Sequence, residues 1–214
     1  MTLQTLTGWG RCTWSRAHVA HPPDASRAAE LVAGAKSVLG RGLGRAYGDA
    51  AQNAGGLVIA TDLLQDRDAP GPVMNVAAGV SIDDLLRQIV PAGYFVPVTP
   101  GTRYVTIGGA LASDIQGKNH HADGALSAHT DAIDLVLADG AQVTVGPDQD
   151  PDLFWATAGG MGLTGLITGA RIRMRHIESS QLLVDTTRVQ DLDELIAAMY
   201  EADSTHRYSV AWVD

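Results

Sequence analysis

The apolar residues of this chain occur in two kinds of segment, short continuous runs and stretches with helical spacing. The short runs predict buried strands at residues 37–39, 57–60 and 73–77. Helical composition predicts a helix over residues 25–35, with either Asp24 or Ser26 as its N-cap. Residues 1–16 show neither pattern, and we expect them to form an irregular segment.

A second helix is predicted to begin at Ser81. Its hydroxyl can cap the helix, and Asp83 and Asp84 follow in the first turn, where the helix dipole favours negative charge. Helical spacing is kept by four apolar residues, Ile82, Leu85, Leu86 and Ile89. Pro91 and Gly93 end this helix, and residues 96–100 are extended because residues before proline avoid helical angles.

The second half of the chain begins with a hairpin signal, because Asp139-Gly140 joins apolar runs at residues 132–138 and 141–145. The elements predicted after it are a helix at 151–156 with proline in its first turn, a strand at 166–174, a strand from 181, a helix at 192–199 and a strand at 208–213. Short strands thus interleave with helices, which predicts the α/β or α+β class.

Composition narrows the possible functions. The 214 residues are 45% hydrophobic and carry a formal net charge of −9, which argues against nucleic acid as the main partner. We expect no signal peptide and no transmembrane segment, because neither a basic-apolar leader nor an apolar run of about 20 residues is present. The predicted location is therefore cytoplasmic or peripheral to a membrane. Cys12 is the only cysteine, so an intrachain disulfide is excluded.

Glycine-rich stretches carry the candidate chemistry. The first is Gly40-Arg-Gly-Leu-Gly-Arg-Ala-Tyr-Gly-Asp49, and the second lies within residues 100–121. Such backbone lets amides approach a ligand closely. Tyr47 occupies the third small position of a G-x-G-x-x-G motif and no helical pattern follows, so a Rossmann site is not expected. Two interpretations stay open, a phosphate cradle with Arg41 and Arg45 as charge partners, or a turn with two surface arginines.

Other charged clusters give weaker signals. His120, His121 and His129 occur near Asp114 and Asp123, but no His-x-x-x-His pair is present and adjacent histidines on a strand would face opposite ways. We expect no metal site. The alternating arginines 171, 173 and 175 are typical of a solvated strand face.

Several motifs together resemble a known family. They are Gly40–Asp49, Pro-Gly-Thr-Arg103, Thr-Ile-Gly-Gly109 and Phe-Trp-Ala-Thr-Ala-Gly-Gly160. This set is similar to the FAD-binding (PCMH-type) domain of the vanillyl-alcohol oxidase superfamily, over residues 8–214. Within it, Ala-Gln-Asn53, Gly-Lys-Asn-His-His121 and Gly-Leu-Thr-Gly165 most resemble a branch of sugar oxidases.

The resemblance implies specific contacts for FAD. The pyrophosphate would be wrapped by Gly40, Arg41, Gly42, Leu43, Gly44, Arg45, Ala46, Tyr47, Gly48, Asp49 and Ala50. Amides on the opposite side would come from Gly101, Thr106, Ile107, Gly108 and Gly109. The isoalloxazine would lie over Ser113, Asp114, Ile115 and Gln116. Ile167 would contact the adenine side or ribose, and the substrate would meet Gly117, Lys118 and His120.

Two positions depart from the family. Members that bind flavin covalently often carry histidine where this chain has Ala46, so we expect non-covalent FAD. The close branch usually has histidine where Gln116 stands. Glutamine donates and accepts hydrogen bonds, but it cannot carry a proton at neutral pH.

The resemblance also implies the domain organisation, an α+β FAD-binding domain at residues 1–176 with α/β subdomains at about 1–104 and 105–176. Residues 177–214 would begin a substrate domain that is truncated here, and the family's substrate-side catalytic residues would belong to the missing half.

The implied activity is oxidation of a secondary alcohol on a polyprenylphosphoryl sugar to a ketone, the first half of an epimerisation in cell-wall biosynthesis. An NAD(P)-dependent reductase would then act on the product. Two alternatives stay open, an oxygen-using sugar or alcohol oxidase of the same superfamily and a catalytically incomplete FAD-binding fragment.

Overall fold

The computed structural model describes residues 1–213, which form ten strands and six α-helices. The strands are β1 Thr2–Thr7, β2 Trp14–Ala20, β3 Val38–Arg41, β4 Leu57–Ala60, β5 Val73–Ala77, β6 Tyr94–Phe95, β7 Thr130–Val136, β8 Gln142–Val145, β9 Leu166–Arg173 and β10 Arg175–His176. The helices are α1 Ala25–Ala33, α2 Ile82–Ile89, α3 Ile107–Ala112, α4 His120–Asp123, α5 Pro151–Thr157 and α6 Leu192–Asp203. Two 3₁₀ turns occupy Val90–Ala92 and Leu126–His129.

The first sheet has the strand order β1-β2-β4-β3. β2, β4 and β3 run parallel, whereas β1 pairs with β2 as an antiparallel hairpin in which Thr2 faces Val19. The irregular segment predicted for residues 1–16 is therefore wrong. β1 carries threonines with only two leucines, and pairing with β2 stabilises it where its own apolar pattern is weak.

The second sheet has the order β5-β9-β7-β8, with every neighbour antiparallel. The predicted hairpin is confirmed, because β7 pairs with β8 from Ile133–Val145 to Val136–Gln142. Gly140 has φ +86° at its turn, a conformation that glycine adopts without steric cost.

The main hydrophobic core lies between this second sheet and helices α2, α3 and α5. Its largest fully buried side chains include Met74, Leu85, Ile107, Leu111 and Phe154. Ser81 caps α2 as predicted, since its Oγ accepts from the Asp84 amide at 3.1 Å.

The two sheets divide the chain earlier than the predicted boundary at 104/105. The first sheet ends with β4, and both β5 and α2 already pack in the second core. The difference arises because the strand at residues 73–77 pairs with β9, which lies far along the chain. The sheets still meet, because Leu166 of β9 packs with Ile59 and α1 in a smaller core.

The C-terminal part confirms one predicted helix but not the predicted strands. α6 begins after Asp191, whose carboxylate accepts from the Glu194 amide at 2.9 Å. Within residues 177–213 no strand forms at 181 or at 208–213. A strand needs a partner for its backbone groups, and among the described residues no strand or isolated bridge pairs with residues 181–189 or 208–213.

The described helices and sheets confirm the α+β class. The longest described helix, α6, has 12 residues, and none of the described helices has the length and apolar character needed to cross a bilayer.

Candidate functional site

A groove of about 250 Å³ opens between the loop that follows β3 and helix α3. The predicted cofactor residues that line it are Gly40, Gly42, Leu43, Gly44, Arg45, Ala46, Ala50, Thr106, Gly109, Ser113 and Ile115. Five lining residues were not predicted, Ala51, Val105, Ala110, Ala112 and Met161. The two main glycine-rich stretches thus face each other.

The loop of residues 42–50, hereafter the first loop, forms one wall. In the described part of the chain, none of the backbone amides from residue 43 to residue 50 donates a hydrogen bond to another protein group. Gly44 has φ +65°, and a Cβ there would lie 2.2 Å from Nη2 of Arg41. Glycine is required here, and successive free amides of this kind suit an anionic ligand.

Two arginines attach the first loop to its surroundings. Half-buried Arg41 donates from Nη1 to the Ala51 carbonyl and from Nη2 to the Thr7 carbonyl, both at 2.8 Å. Burial lowers its guanidinium pKa below the usual value. Arg45 stacks on the Trp9 ring at 4.2 Å and donates from Nε to the Tyr104 carbonyl. Both arginines therefore bind protein groups, and neither is a free surface arginine.

The turn of the β1-β2 hairpin clasps the outer side of this loop. The Trp9 amide donates to the Ala46 carbonyl at 2.8 Å, and the Gly10 amide donates to the Tyr47 carbonyl at 3.1 Å. A Cβ at Gly8 would lie 1.9 Å from the Gly48 carbonyl oxygen, so only glycine permits this approach. Tyr47, Gly48 and Asp49 are exposed on the rim and do not line the groove.

Helix α3 forms the opposite wall. The amides of Ile107 and Gly108 donate to the Val80 and Ala78 carbonyls, both at 2.9 Å, so these two amides are engaged by the scaffold. Gly108 is buried, and a Cβ there would lie 2.8 Å from the Ala78 Cβ. The exposed Gly109 lines the groove. The walls touch at Gly42, where a Cβ would lie 2.2 Å from Thr106 Oγ1.

The third glycine-rich stretch, residues 159–165, supports the end of α3. The Gly159 amide donates to the Leu111 carbonyl at 3.0 Å and the Met161 amide donates to the Ala112 carbonyl at 2.8 Å. These bonds bring Met161 into the wall, where its Sδ lies 3.7 Å from Ser113 Oγ. The sequence marked this stretch by its glycines, but nothing in it indicated that Met161 would reach the groove.

The remaining predicted residues lie outside the groove. Asp114 turns its carboxylate to Ser127, and Gln116 is exposed. Gly101 is exposed, with no other group within 4 Å of a Cβ built there. Ile167 is 5% exposed in the main core. A second cavity of about 270 Å³ shares Gly40 with the groove and is lined by residues 35–39 and 162–166.

The substrate-side residues predicted from the resemblance lie on the segment 117–121. Lys118 and His120 are exposed, whereas Gly117 packs closely against its neighbours. A Cβ at Gly117 would lie 2.7 Å from both the Thr99 carbonyl oxygen and Asn119 Oδ1. The fully buried Asn119 donates to the Pro97 carbonyl at 2.7 Å, so the segment is fixed on its inner side.

An ionic cluster fixes the outer end of this segment. Asp123 is 9% exposed and accepts from Asn119 at 2.7 Å, Arg175 at 2.7 Å and Arg207 at 2.6 Å. Burial opposes ionisation of Asp123, but the bonds from Asn119, Arg175 and Arg207 outweigh it and hold its pKa below the usual value. His120 and His121 lie on α4 instead of a strand. In the described residues no group of three His, Cys, Asp or Glu side chains is placed to hold a metal ion.

Comparison of the sequence with known proteins identifies the family of this chain. Residues 17–146 match the family described as FAD binding domain, and this chain belongs to that family. The match covers the first loop and α3. The match confirms FAD as the cofactor that the family resemblance predicts.

Individual relatives are consistent with this family. Decaprenylphosphoryl-beta-D-ribose oxidase of Mycolicibacterium smegmatis is 43% identical over 100% of this chain and 48% of its own length. An uncharacterized protein in the mprA 5'region of Streptomyces coelicolor is 41% identical over 63% of the chain and 36% of its length. Cytokinin dehydrogenase 2 of Arabidopsis thaliana is 29% identical over 72% of the chain and 32% of its length. The chain spans about half the length of the first relative and less of the others.

The residues of the groove fit FAD. The free amides of the first loop can accept the pyrophosphate charge, and the glycines remove side chains that would fill the space. The groove is bordered by the apolar side chains of Leu43, Val105 and Ile115, which suit a flat ring system. A phosphate cradle therefore fits the geometry better than an isolated turn.

Proposed function

We propose that this chain is the flavin-binding part of an FAD-dependent oxidoreductase that oxidises a secondary alcohol of a polyprenylphosphoryl sugar to a ketone. The observation that carries the proposal is the groove, in which a loop of unpaired amides faces α3 in a member of the FAD binding domain family. The sugar class rests on 43% identity, over the whole chain, to a relative named decaprenylphosphoryl-beta-D-ribose oxidase.

The first loop would hold the pyrophosphate through its amides. In this proposal Arg41 shapes the loop from behind, and Arg45 adds positive charge at the groove itself. The local charge is favourable for a dianionic linkage in a chain whose net charge is −9. The cavity beyond Gly40 is the proposed place of the adenosine half.

The wall formed by Ser113, Ile115 and Met161 would lie against the isoalloxazine. When bound, FAD would accept the two electrons and the hydrogen that are removed from the alcohol carbon. Gln116 and Lys118 would orient the substrate at the open end of this wall. Because a glutamine amide cannot take up the hydroxyl proton at neutral pH, the role proposed for Gln116 is hydrogen bonding alone.

Non-covalent attachment is part of the proposal. Ala46 lines the groove, and its methyl side chain offers no nucleophile for a bond to the flavin. Acid precipitation of the purified yellow protein tests this directly. We expect the flavin in the supernatant, and flavin remaining with the pellet would contradict non-covalent binding.

The ketone product belongs to the first half of an epimerisation, which an NAD(P)-dependent reductase would complete. A polyprenyl substrate is held in a lipid bilayer by its chain, so the proposed site would work at a membrane surface. Both the reductase and a role in cell-wall biosynthesis belong to this proposal.

The decisive experiment is spectroscopic. The purified chain should show flavin absorbance between about 350 and 500 nm. In the longer protein that includes the substrate domain, a polyprenylphosphoryl ribose should bleach this absorbance without oxygen, whereas the free polyprenyl phosphate should not. A chain that binds FAD but is not bleached would be a catalytically incomplete domain. Comparing reoxidation by oxygen with that by a quinone-like acceptor then tests the oxygen-using alternative, which fast turnover with oxygen would favour.

A further inference from the structure

Helix α3 ends in a turn that normally requires glycine. Ser113 is its C-cap, the Asp114 amide donates to the Leu111 carbonyl at 2.9 Å, and the Ile115 amide donates to the Ala110 carbonyl at 3.0 Å. These two bonds define a Schellman motif, whose first residue after the cap is left-handed and usually glycine. Here that residue is Asp114, with φ +41°. The conformation is costly for a residue with a side chain, although aspartate tolerates it better than most.

The carboxylate of Asp114 explains why glycine is absent. Its Oδ1 accepts from the Ser127 amide and its Oδ2 accepts from the Ser127 hydroxyl, both at 2.9 Å. Ser127 is 4% exposed, so these bonds are made largely out of water. The Leu126 amide also donates to the Ile115 carbonyl at 3.1 Å. Two adjacent residues of the 3₁₀ turn, Leu126 and Ser127, therefore hold the strained C-terminal turn of α3 through hydrogen bonds.

The residues on either side of this turn lie at the groove. Ser113 and Ile115 line it, whereas Asp114 between them points away toward Ser127. A left-handed residue reverses the chain direction within one position. The conformation of Asp114 thus decides where Ile115 stands and where the chain leaves toward Gln116 and Lys118.

We propose that Asp114 is a positioning residue for the cofactor, acting through the backbone and not by contact. The hydrogen bonds of its carboxylate with Ser127 keep Asp114 in the left-handed conformation, and this conformation holds Ser113 and Ile115 at the wall against which the flavin would lie. This inference rests on the groove assignment of the proposed function. It is independent of which alcohol is oxidised.

Three substitutions in the 214-residue chain separate this role from its rivals. D114N keeps an acceptor for the Ser127 amide and a residue type that tolerates the left-handed conformation. D114G keeps the left-handed conformation available but removes both hydrogen bonds to Ser127. S127A removes only the hydroxyl donor. The dissociation constant of FAD is measured by flavin fluorescence, the environment of the ring by the shape of the visible bands, and folding by thermal unfolding without FAD.

We expect D114G to raise the FAD dissociation constant about tenfold, as loss of hydrogen bonds to a carboxylate predicts, and to alter the visible bands. S127A should have a smaller effect in the same direction, and D114N should stay within about twofold of the unsubstituted chain. The unfolding temperature without FAD should change little in D114G, because glycine relieves the strained backbone.

Other outcomes overturn the inference in recognisable ways. Tenfold weaker binding in D114N with no effect in S127A would mean that the charge of Asp114 acts on the ligand. Unchanged FAD affinity and bands in D114G would leave Asp114 a purely structural residue. Loss of FAD affinity in D114G, together with failure of the unsubstituted, flavin-loaded protein to oxidise any sugar, would overturn the proposed activity but uphold the positioning role.

Discussion

The first loop and helix α3 face each other across one groove, but they are attached to the protein differently. α3 is part of the main core through Ile107 and Leu111, and its early amides bond to the backbone beside β5. The first loop lies outside every hydrophobic cluster and is held by Arg41, Arg45 and the hairpin turn. One wall is therefore coupled to global stability, whereas the other can be disturbed with the core intact.

This difference gives the two walls different expected responses to substitution. Damage to α3 should lower the free energy of unfolding and flavin affinity together. Damage to the first loop should lower flavin affinity with a smaller change in the free energy of unfolding. The following variants test that separation in order of expected effect.

Gly108→Val should have the largest effect. The valine Cβ would be placed 2.8 Å from the Ala78 Cβ in a packed region, so α3 must move away from the core. We expect the free energy of unfolding to fall by about 3 kcal/mol, measured by urea titration, and flavin to be lost. Gly71→Val is a matched control, because the atom nearest to a Cβ at Gly71 would be 3.7 Å away, an ordinary contact distance. Equal stability of both variants would break the comparison.

Gly44→Val should abolish flavin retention at a smaller cost in stability. Valine disfavours φ +65°, and its Cβ would meet the Arg41 guanidinium at 2.2 Å. The loop can rearrange because no core packing depends on it, so the loss in free energy of unfolding should be about 1–2 kcal/mol. Flavin-to-protein stoichiometry after purification measures the effect. An undiminished yellow colour would refute the role of the first loop as a cradle.

Arg41→Ala should weaken the first wall without removing it. Two hydrogen bonds to the Thr7 and Ala51 carbonyls are lost, whereas the contacts of Arg45 and of the hairpin turn with the loop remain. We expect the FAD dissociation constant to rise about tenfold, seen by fluorescence titration. Arg27→Ala is the control, because Arg27 makes an exposed ion pair with Glu30 that contributes little. Equal FAD affinities in the two variants would show that Arg41 does not hold the first loop in its FAD-binding conformation.

Asp123→Asn should have the smallest effect, and it should depend on pH. The folded pKa of Asp123 is held below 3.8, so its ionised form stabilises the fold above that value, and the contribution is lost as pH falls through the folded pKa. We expect the variant to be about 1 kcal/mol less stable at pH 7, with the difference shrinking below about pH 4. If the difference in free energy of unfolding did not depend on pH, it would arise from packing and not from the charge of Asp123.

Several elements could be predicted because their signals are local. The Ser81 cap, the Asp139-Gly140 turn and the proline start of α5 each depend on residues within one or two turns. The two glycine-rich stretches were recognised together from motifs, and the structure brings them to one groove.

The missed features depend on contacts between distant residues. β1 needed its partner β2, and Met161 reached the groove through the Ala112 carbonyl. Arg41 was expected as a charge partner, but its side chain binds the carbonyls of Thr7 and Ala51. Local sequence cannot identify such partners, because the packing of the two sheets brings together residues that are far apart in the chain.

The clasp between the hairpin turn and the first loop also bears on the order of events during synthesis. Its partners, Trp9 with Ala46 and Gly10 with Tyr47, all leave the ribosome before α3 is made. The opposite wall needs β9 and the Met161 turn, which emerge much later. Domains fold largely as their segments appear, N-terminal parts first. In a nascent chain the hairpin turn would therefore hold the first loop before the opposite wall exists, and cofactor capture would wait until residues 161–173 had emerged.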